Sequence, residues 1–515
     1  MQSASLRWSN LFLFFSVLLG AVVRFTPTIM TGSPINDGGM FYVMIEDLKA
    51  NHFMLPFFTS YNHLNIPFAY PPLSFYAGGL FSLLGISTFD VIRFLPPVIS
   101  TLSILAFYWM ASLMLDSRSK ASLAALAYAL MPRSFSWYIM GGGLSRSFGM
   151  LFLLLACASA WKLFTKPASR YVFLTALFGA GSILSHPETG LHAAATCVLI
   201  WFFKGRNLRG SRDALIVSSG VFAFTSPWWV TILAQHGDQP FVSALNTGGQ
   251  GFVFWTPQMF LGLTEERFVP LFALLGLAGL AIAIMRRNWF LPAWLFLPFV
   301  VEARSAAAIS ILPLAILASV ALTDFVIPKP ALRDSKIQNG LSDWAILINQ
   351  SRISKSLLAC IMFLALISAF VYDFSLTNYI VSTESRQAMQ WIRDNTASDS
   401  SFIILTGRAD PFSDPTSEWF PAFARRMSQS TIQGREWLLG KDFWQFFAST
   451  SALRLCLNQD PSCVANWANA HHLAFDYVYI EKSNNPPVPL IGELRQDQNY
   501  ALAFENDAAV IFARK

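Results

Sequence analysis

Apolar runs recur along the first three-quarters of the chain, most of them near the roughly 20 residues that a helix needs to cross a hydrocarbon layer about 30 Å thick. They lie near 10–30, 91–115, 121–140, 144–164, 171–186, 189–203, 213–234, 267–285, 289–302, 306–327 and 357–376, which predicts eleven membrane crossings. One further apolar segment, "YPPLSFYAGGLFSLLGIS" at 70–87, is short for a crossing. It opens on Pro71-Pro72, a pair suited to starting a helix at the membrane surface.

Between the first two crossings the pattern changes. In "GMFYVMIEDLK", Met40, Phe41, Met44, Ile45 and Leu48 recur at helical spacing, with Tyr42, Glu46 and Lys49 opposite. That predicts an amphipathic helix lying along the membrane surface. After the last crossing the pattern becomes mixed and polar. "ESRQAMQWIRDNT" (384–396) reads as a helix, and "SFIILTG" (401–407) and "FDYVYIEK" (475–482) as strands. "ALAFENDAAVIFAR" (501–514) reads as a hairpin turning at Asn506-Asp507. The expected division is a membrane domain over 1–376, its first outer loop over 31–90, and a soluble α/β domain over 377–515.

Composition agrees with the pattern. The chain is 54% hydrophobic and 13% charged, against about a quarter charged in soluble domains. The net charge of +6 therefore says little about nucleic acid, and the placement of the basic residues matters more. If 70–87 does not span, the loops 116–120, 165–170, 204–212 and 285–288 fall on the side of Arg7. The stretch 328–356, with Lys329, Arg333, Lys336, Arg352 and Lys355, joins them. The opposite loops 31–69, 140–145 and 235–264 hold almost no Lys or Arg. This asymmetry predicts a multi-pass plasma-membrane protein with a cytoplasmic N-terminus and an extracytoplasmic C-terminal domain. No A-x-A-like site follows the first run, so it reads as an uncleaved anchor. Cys456 and Cys463 sit seven positions apart in the outer domain, as a disulfide or as two unpaired core residues.

The polar residues of interest gather at the outer ends of the crossings. Asp37 lies in "SPINDGGMFY", Arg146 in "GGGLSR", His186 and Glu188 in "SHPETG", and Glu302 and Arg304 in "VEARS". Ionisable groups at membrane depth are costly and by default mark a site. A carboxylate accepts the proton of an attacking hydroxyl, and Arg or His stabilises charge on a leaving phosphate. Structural readings stand beside these. Asp37 is also a favoured helix N-cap, His186 and Glu188 flank Pro187 in a tight turn, and Arg304 can reach lipid headgroups. Arg24 inside the first crossing reads as pairing with a neighbouring helix, and His471-His472 lack metal-ligand spacing. The chain has no P-loop, no G-x-G-x-x-G after a strand and no zinc pattern.

The acid after the first crossing, the surface helix, "FAYPPLSFY" (68–76), the "HPETG" motif and the later outer Arg together resemble the GT-C membrane glycosyltransferases. The nearest branches are the protein O-mannosyltransferases and aminoarabinose transferases. "AMQWIRDNT" and "EWFPAFARR…TIQGREW" are similar to segments of prokaryotic members with an external α/β domain. The resemblance implies an α-helical polytopic protein that transfers a hexose or pentose, with inversion, from a polyprenyl phosphate to a lipid, glycan or protein acceptor. It implies Asp37 as general base or acceptor-orienting group and Arg304 as the phosphate holder, with Arg146, His186, Glu188 and Tyr70 as further substrate contacts. Many members follow the Asp with Glu; here Gly38 follows, so the second acid is either missing or supplied later, by Glu46 or Asp47. A divalent cation near Asp37 is compatible with the resemblance and not required by it. The other readings are a lipid or polysaccharide transporter, which would favour midplane charges and repeated halves, and a non-catalytic membrane scaffold.

Overall fold

The computed structural model describes residues 2–247, 262–326, 352–482 and 488–515. Lys329, Arg333 and Lys336 of the expected basic stretch lie outside the described residues, as do 248–261 of the loop 235–264. The side chains of Arg7, Arg352 and Lys355 lie outside them as well.

Eleven described helices fall on the eleven apolar runs: α1 (Gln2–Thr31), α4 (Thr88–Leu115), α5 (Arg118–Leu130), α6 (Gly143–Thr165), α7 (Ser169–Ser185), α8 (Pro187–Lys204), α9 (Leu208–His236), α11 (Leu271–Met285), α12 (Phe290–Val301), α13 (Ala303–Ala321) and α14 (Arg352–Leu376). Between them lie α2 (Gly39–Ala50), α3 (Leu73–Leu83) and α10 (Gln239–Thr247). Six segments are long and apolar enough to cross a membrane by length and composition: Ser9–Thr31, Thr88–Leu115, Gly143–Thr165, Leu208–His236, Ala303–Asp324 and Leu358–Leu376. The run expected to span 121–140 stops at Leu130. Pro132 lacks an amide and biases Met131 away from helix, so two short 3-10 turns carry the chain on to Gly143. α3, at 11 residues, extends only about 16 Å and does not span.

α13 is buried on nearly every side, as an all-round apolar helix must be. α11 packs against it through Gly276 and Gly279, which face Leu314 and Leu317 at backbone distance. Arg24 on α1 is fully buried. It donates to Ser100 Oγ (2.9 Å) on α4, to the Ala129 carbonyl (2.9 Å) on α5 and to Ser134 Oγ (3.0 Å), and so ties three segments together.

α2 buries Met40, Phe41, Met44, Ile45 and Leu48, the stripe read from sequence. The stripe does not rest on the membrane as expected. It shares a core with Phe68, Phe75, Val91, Ile92, Trp419 and Phe420. An apolar stripe gains from leaving water whether lipid or protein receives it, and here the C-terminal domain covers it.

That domain holds α15 (Thr383–Asn395), α16 (Pro415–Ala424), α17 (Phe443–Leu453), α18 (Ser462–Ala470) and α19 (Pro489–Gln496) around a five-stranded sheet. A two-stranded ribbon, β1 (Phe58–Thr59) with β2 (Ile66–Pro67), belongs to the first loop. The sheet strands are β3 (Ser401–Leu405), β4 (Met427–Ser428), β5 (Tyr477–Glu481), β6 (Tyr500–Glu505) and β7 (Ala509–Arg514), in the order β4-β3-β5-β7-β6. β3 runs parallel to β4 and β5, and β7 antiparallel to β5 and β6. All five β3 residues are buried, which suits a central parallel strand. The hairpin turns at Asn506, whose side-chain oxygen accepts from the Ala508 and Ala509 amides. Cys456 and Cys463 form a disulfide.

Candidate active site

The chain leaves α1 at Thr31 and reverses into α2 through Asn36, Asp37 and Gly38. Gly38 has φ +126°, a conformation L side chains avoid. A Cβ there would press on the backbone of Gly141. Two loops therefore meet at main-chain distance, and the Gly141 amide donates to the Ile35 carbonyl (2.9 Å).

This contact places Asp37 at the start of α6. Its Oδ1 accepts from the Gly142 amide (2.9 Å), and its Oδ2 lies 3.3 Å from Arg146 Nη1. A carboxylate is favoured at the N-terminus of a 23-residue helix. Asp37 does not cap α2. The residue before α2 is Gly38, and the Gly38 and Met40 amides donate instead to Glu418 Oε1 of α16 (3.0 and 3.4 Å).

Around this pair stand the other residues picked out by sequence. Arg146 lies over the Trp137 ring (5.3 Å). Tyr70 Oη bonds Ser145 Oγ (3.1 Å), and its ring packs on Phe41 and Trp437. Glu188 Oε1 lies 3.6 Å from Arg304 Nη1, each side chain about one-third exposed. Arg304 stacks over Phe412 (5.9 Å). His186 is buried and caps α8, its Nδ1 bonded to Thr189 Oγ1 (3.0 Å). Glu302 caps α13, accepting from the Arg304 (2.6 Å) and Ser305 (2.9 Å) amides, with His192 Nε2 at 3.7 Å.

The second acid is not where sequence reasoning sought it. Glu46 is paired with Lys49 (2.9 Å) and bonded to Thr88. Asp47 is used by the β1 turn, accepting from Thr59 Oγ1, the Ser60 amide and Ser60 Oγ. Neither is among the groups bonded to Asp37. The acid beside Asp37 comes from the C-terminal domain. Burial first, and then the Asp37 charge, push the Glu418 carboxyl up to about 8 against the pull of the two amides. Among the described residues its Oε2, which is buried, has no hydrogen-bond partner. A second missed acid, Glu436, is pushed up to about 7 by burial, with Arg304 opposing. Both sit in aromatic surroundings, "SEWF" and "REW", and an acid set among tryptophans is the one signal the sequence offered.

The C-terminal domain holds this corner at several further points. Trp419 Nε1 donates to the Asn36 carbonyl (2.9 Å), and the Asn36 amide to the Tyr379 carbonyl (2.7 Å). Asn36 Nδ2 reaches the Phe412 carbonyl (3.2 Å), and Tyr61 Oη donates to the Glu418 carbonyl (2.6 Å). Among the described residues, no three His, Cys, Asp or Glu side chains come together as a metal-ligand set.

No protein-family model matches the chain, and no curated protein does. Solved structures do. The aminoarabinose transferase ArnT from Cupriavidus metallidurans, in the apo state, aligns at TM-score 0.53 and 13% identity over 99% of this chain and 98% of its own. The archaeal oligosaccharyltransferase AglB from Archaeoglobus fulgidus, solved with an inhibitory peptide and a dolichol-phosphate, aligns at 0.53 and 14% over 92% of this chain and 69% of its own. The mycobacterial arabinofuranosyltransferase AftD aligns at 0.54 and 15% over 98% of this chain and 41% of its own. At such identities the likeness is one of fold.

Proposed function

We propose that this chain, which has the fold of the GT-C membrane glycosyltransferases, moves a monosaccharide from a polyprenyl-phosphate carrier to an acceptor, with inversion at the anomeric carbon. The observation that carries the reading is the Asp37–Arg146 pair (3.3 Å) at the start of α6, with a second carboxylate–cation pair, Glu188–Arg304, among the same helix ends. One acid and one cation per pair is the set that proton removal and phosphate departure require.

In this reading Asp37 takes the acceptor hydroxyl proton as the acceptor oxygen attacks the anomeric carbon. The bond from that carbon to the carrier oxygen breaks, and its electron pair leaves with the lipid phosphate. Arg304 holds that phosphate through charge-assisted hydrogen bonds. Arg146 orients Asp37, while Tyr70, Glu188 and His186 line the substrate space. A lipid, glycan or protein is the acceptor. A lipid phosphate as donor is supported by a neighbouring ArnT structure solved with undecaprenyl phosphate, at TM-score 0.50 and 14% identity. The loop-charge asymmetry supports an extracytoplasmic site.

The test compares wild type with Asp37→Asn at matched expression, using radiolabelled polyprenyl-phosphate hexoses and pentoses. Turnover should fall by about 10²–10⁴ with donor still bound. Equal turnover in the two proteins would remove Asp37 from the chemistry.

A further inference from the structure

The Glu418 carboxyl reaches across from the C-terminal domain to the Gly38 and Met40 amides, one and three residues beyond Asp37. Its other oxygen is buried and has no hydrogen-bond partner among the described residues. Its own carbonyl is gripped by Tyr61, and the next residue, Trp419, is bonded to Asn36.

We infer that Glu418 is a positioning residue for Asp37, supplying from the C-terminal domain the second acid of the corner and holding the Asp37 loop in place only while it carries its proton. The inference rests on the proposed role of Asp37. A protonated Glu418 accepts the Gly38 and Met40 amides through one oxygen and adds no charge beside Asp37. Once ionised, it sets a second anion against Asp37 in a buried space, and like charges held there repel. The loop between Asn36 and Met40 then loosens, and Asp37 leaves its seat on the Gly142 amide.

Glu436 and Glu481 of the same domain are each raised to about 7, so the Glu418 contribution is read as the difference between the wild-type and Glu418→Gln curves. Asp37 and Arg146 face it from the corner and from α6. Tyr61 faces it from the turn after β1, and burial pushes its phenol above the ordinary value. α15 presents only Ser385, Ala388, Met389 and Ile392 as its buried face.

Two measurements on the full-length protein in detergent or nanodiscs test the inference. The first needs no substrate: thermal unfolding followed from pH 5.5 to 9.5. A group whose folded value lies above its unfolded one stabilises below the unfolded value and loses that contribution as pH rises through the folded one. Wild type should therefore lose stability in a broad step that runs down through the range and levels off near pH 8. The Glu418 contribution to it should vanish in Glu418→Gln and move to lower pH in Asp37→Asn, where the repelling charge is gone. A step unmoved by both substitutions overturns the inference.

The second measurement is turnover against pH. Wild type should fall about tenfold per unit above the midpoint, through kcat and not KM. In Glu418→Gln the ratio of rates at pH 9 and pH 7 should return to near one. An identical falling limb in both proteins overturns the inference. If every donor is inert while the unfolding step behaves as described, the pairing stands and the transferase reading fails instead.

Discussion

Gly142 and Asp37 are in contact at both ends of the glycine: its amide donates to Oδ1 at 2.9 Å, and a Cβ on its Cα would collide with the same carboxylate. Gly142→Ala therefore pushes Asp37 off its seat without removing any charge. Misplacement by about 1 Å costs on the order of 10²-fold in rate. Steady-state turnover should fall by that factor, and the unfolding temperature should fall as well, because Gly142 is buried and the added methyl has no room beside the carboxylate.

Tyr61 is fully buried, and its hydroxyl donates to the Glu418 carbonyl (2.6 Å). Tyr61→Phe keeps the ring and leaves that carbonyl without its donor. The expected cost is about 1–3 kcal/mol, read by denaturant unfolding of the intact protein. Turnover at neutral pH should fall with it, because the same carbonyl belongs to the residue beside the corner.

Gly279 of α11 faces the Leu317 backbone of α13 with no room for a Cβ. Small residues allow membrane helices to approach this closely. Gly279→Ala should destabilise by about 1–3 kcal/mol through overpacking, visible as a lower melting temperature in detergent. The site residues should respond only through loss of folded protein.

Glu481, at the end of β5, is held up to about 7 by burial first and then by the Asp414 charge. Its folded value is raised above the ordinary 4.5, so it stabilises fully below that ordinary value and loses this contribution as pH rises through about 7. The melting temperature of wild type should drop between pH 6 and pH 8 more steeply than that of Glu481→Gln. Parallel curves would show that the carboxyl titrates elsewhere.

Much of the architecture could be read from local periodicity, because each element obeys it. The apolar stripe of α2, the five-residue run of β3 and the hairpin at Asn506 all occur where the pattern placed them. What covers α2 could not be read, since a stripe of Met, Phe, Ile and Leu suits lipid and protein alike. The premature end of α5 was written in Pro132, but hydropathy averaged over a window passes over a single residue. Asp37, Arg146, Glu188 and Arg304 share one end of the bundle because alternating crossings return there. Glu418 escaped because its partner amides lie 380 residues away in sequence. No pattern within a helix encodes that distance. Only the acid set beside a tryptophan in "SEWF" hinted at it.

The same separation sets a clock. During synthesis at about 5–20 residues per second, the ribosome finishes Asp37 roughly 20–80 s before it reaches Glu418, which lies 380 positions beyond Gly38. Through that interval the Asn36 carbonyl has no Trp419 indole, and the Gly38 and Met40 amides have no carboxyl to receive them. A nascent chain thus inserts its helices with this corner unassembled, and a product truncated before Glu418 lacks these contacts even when every apolar run has been made.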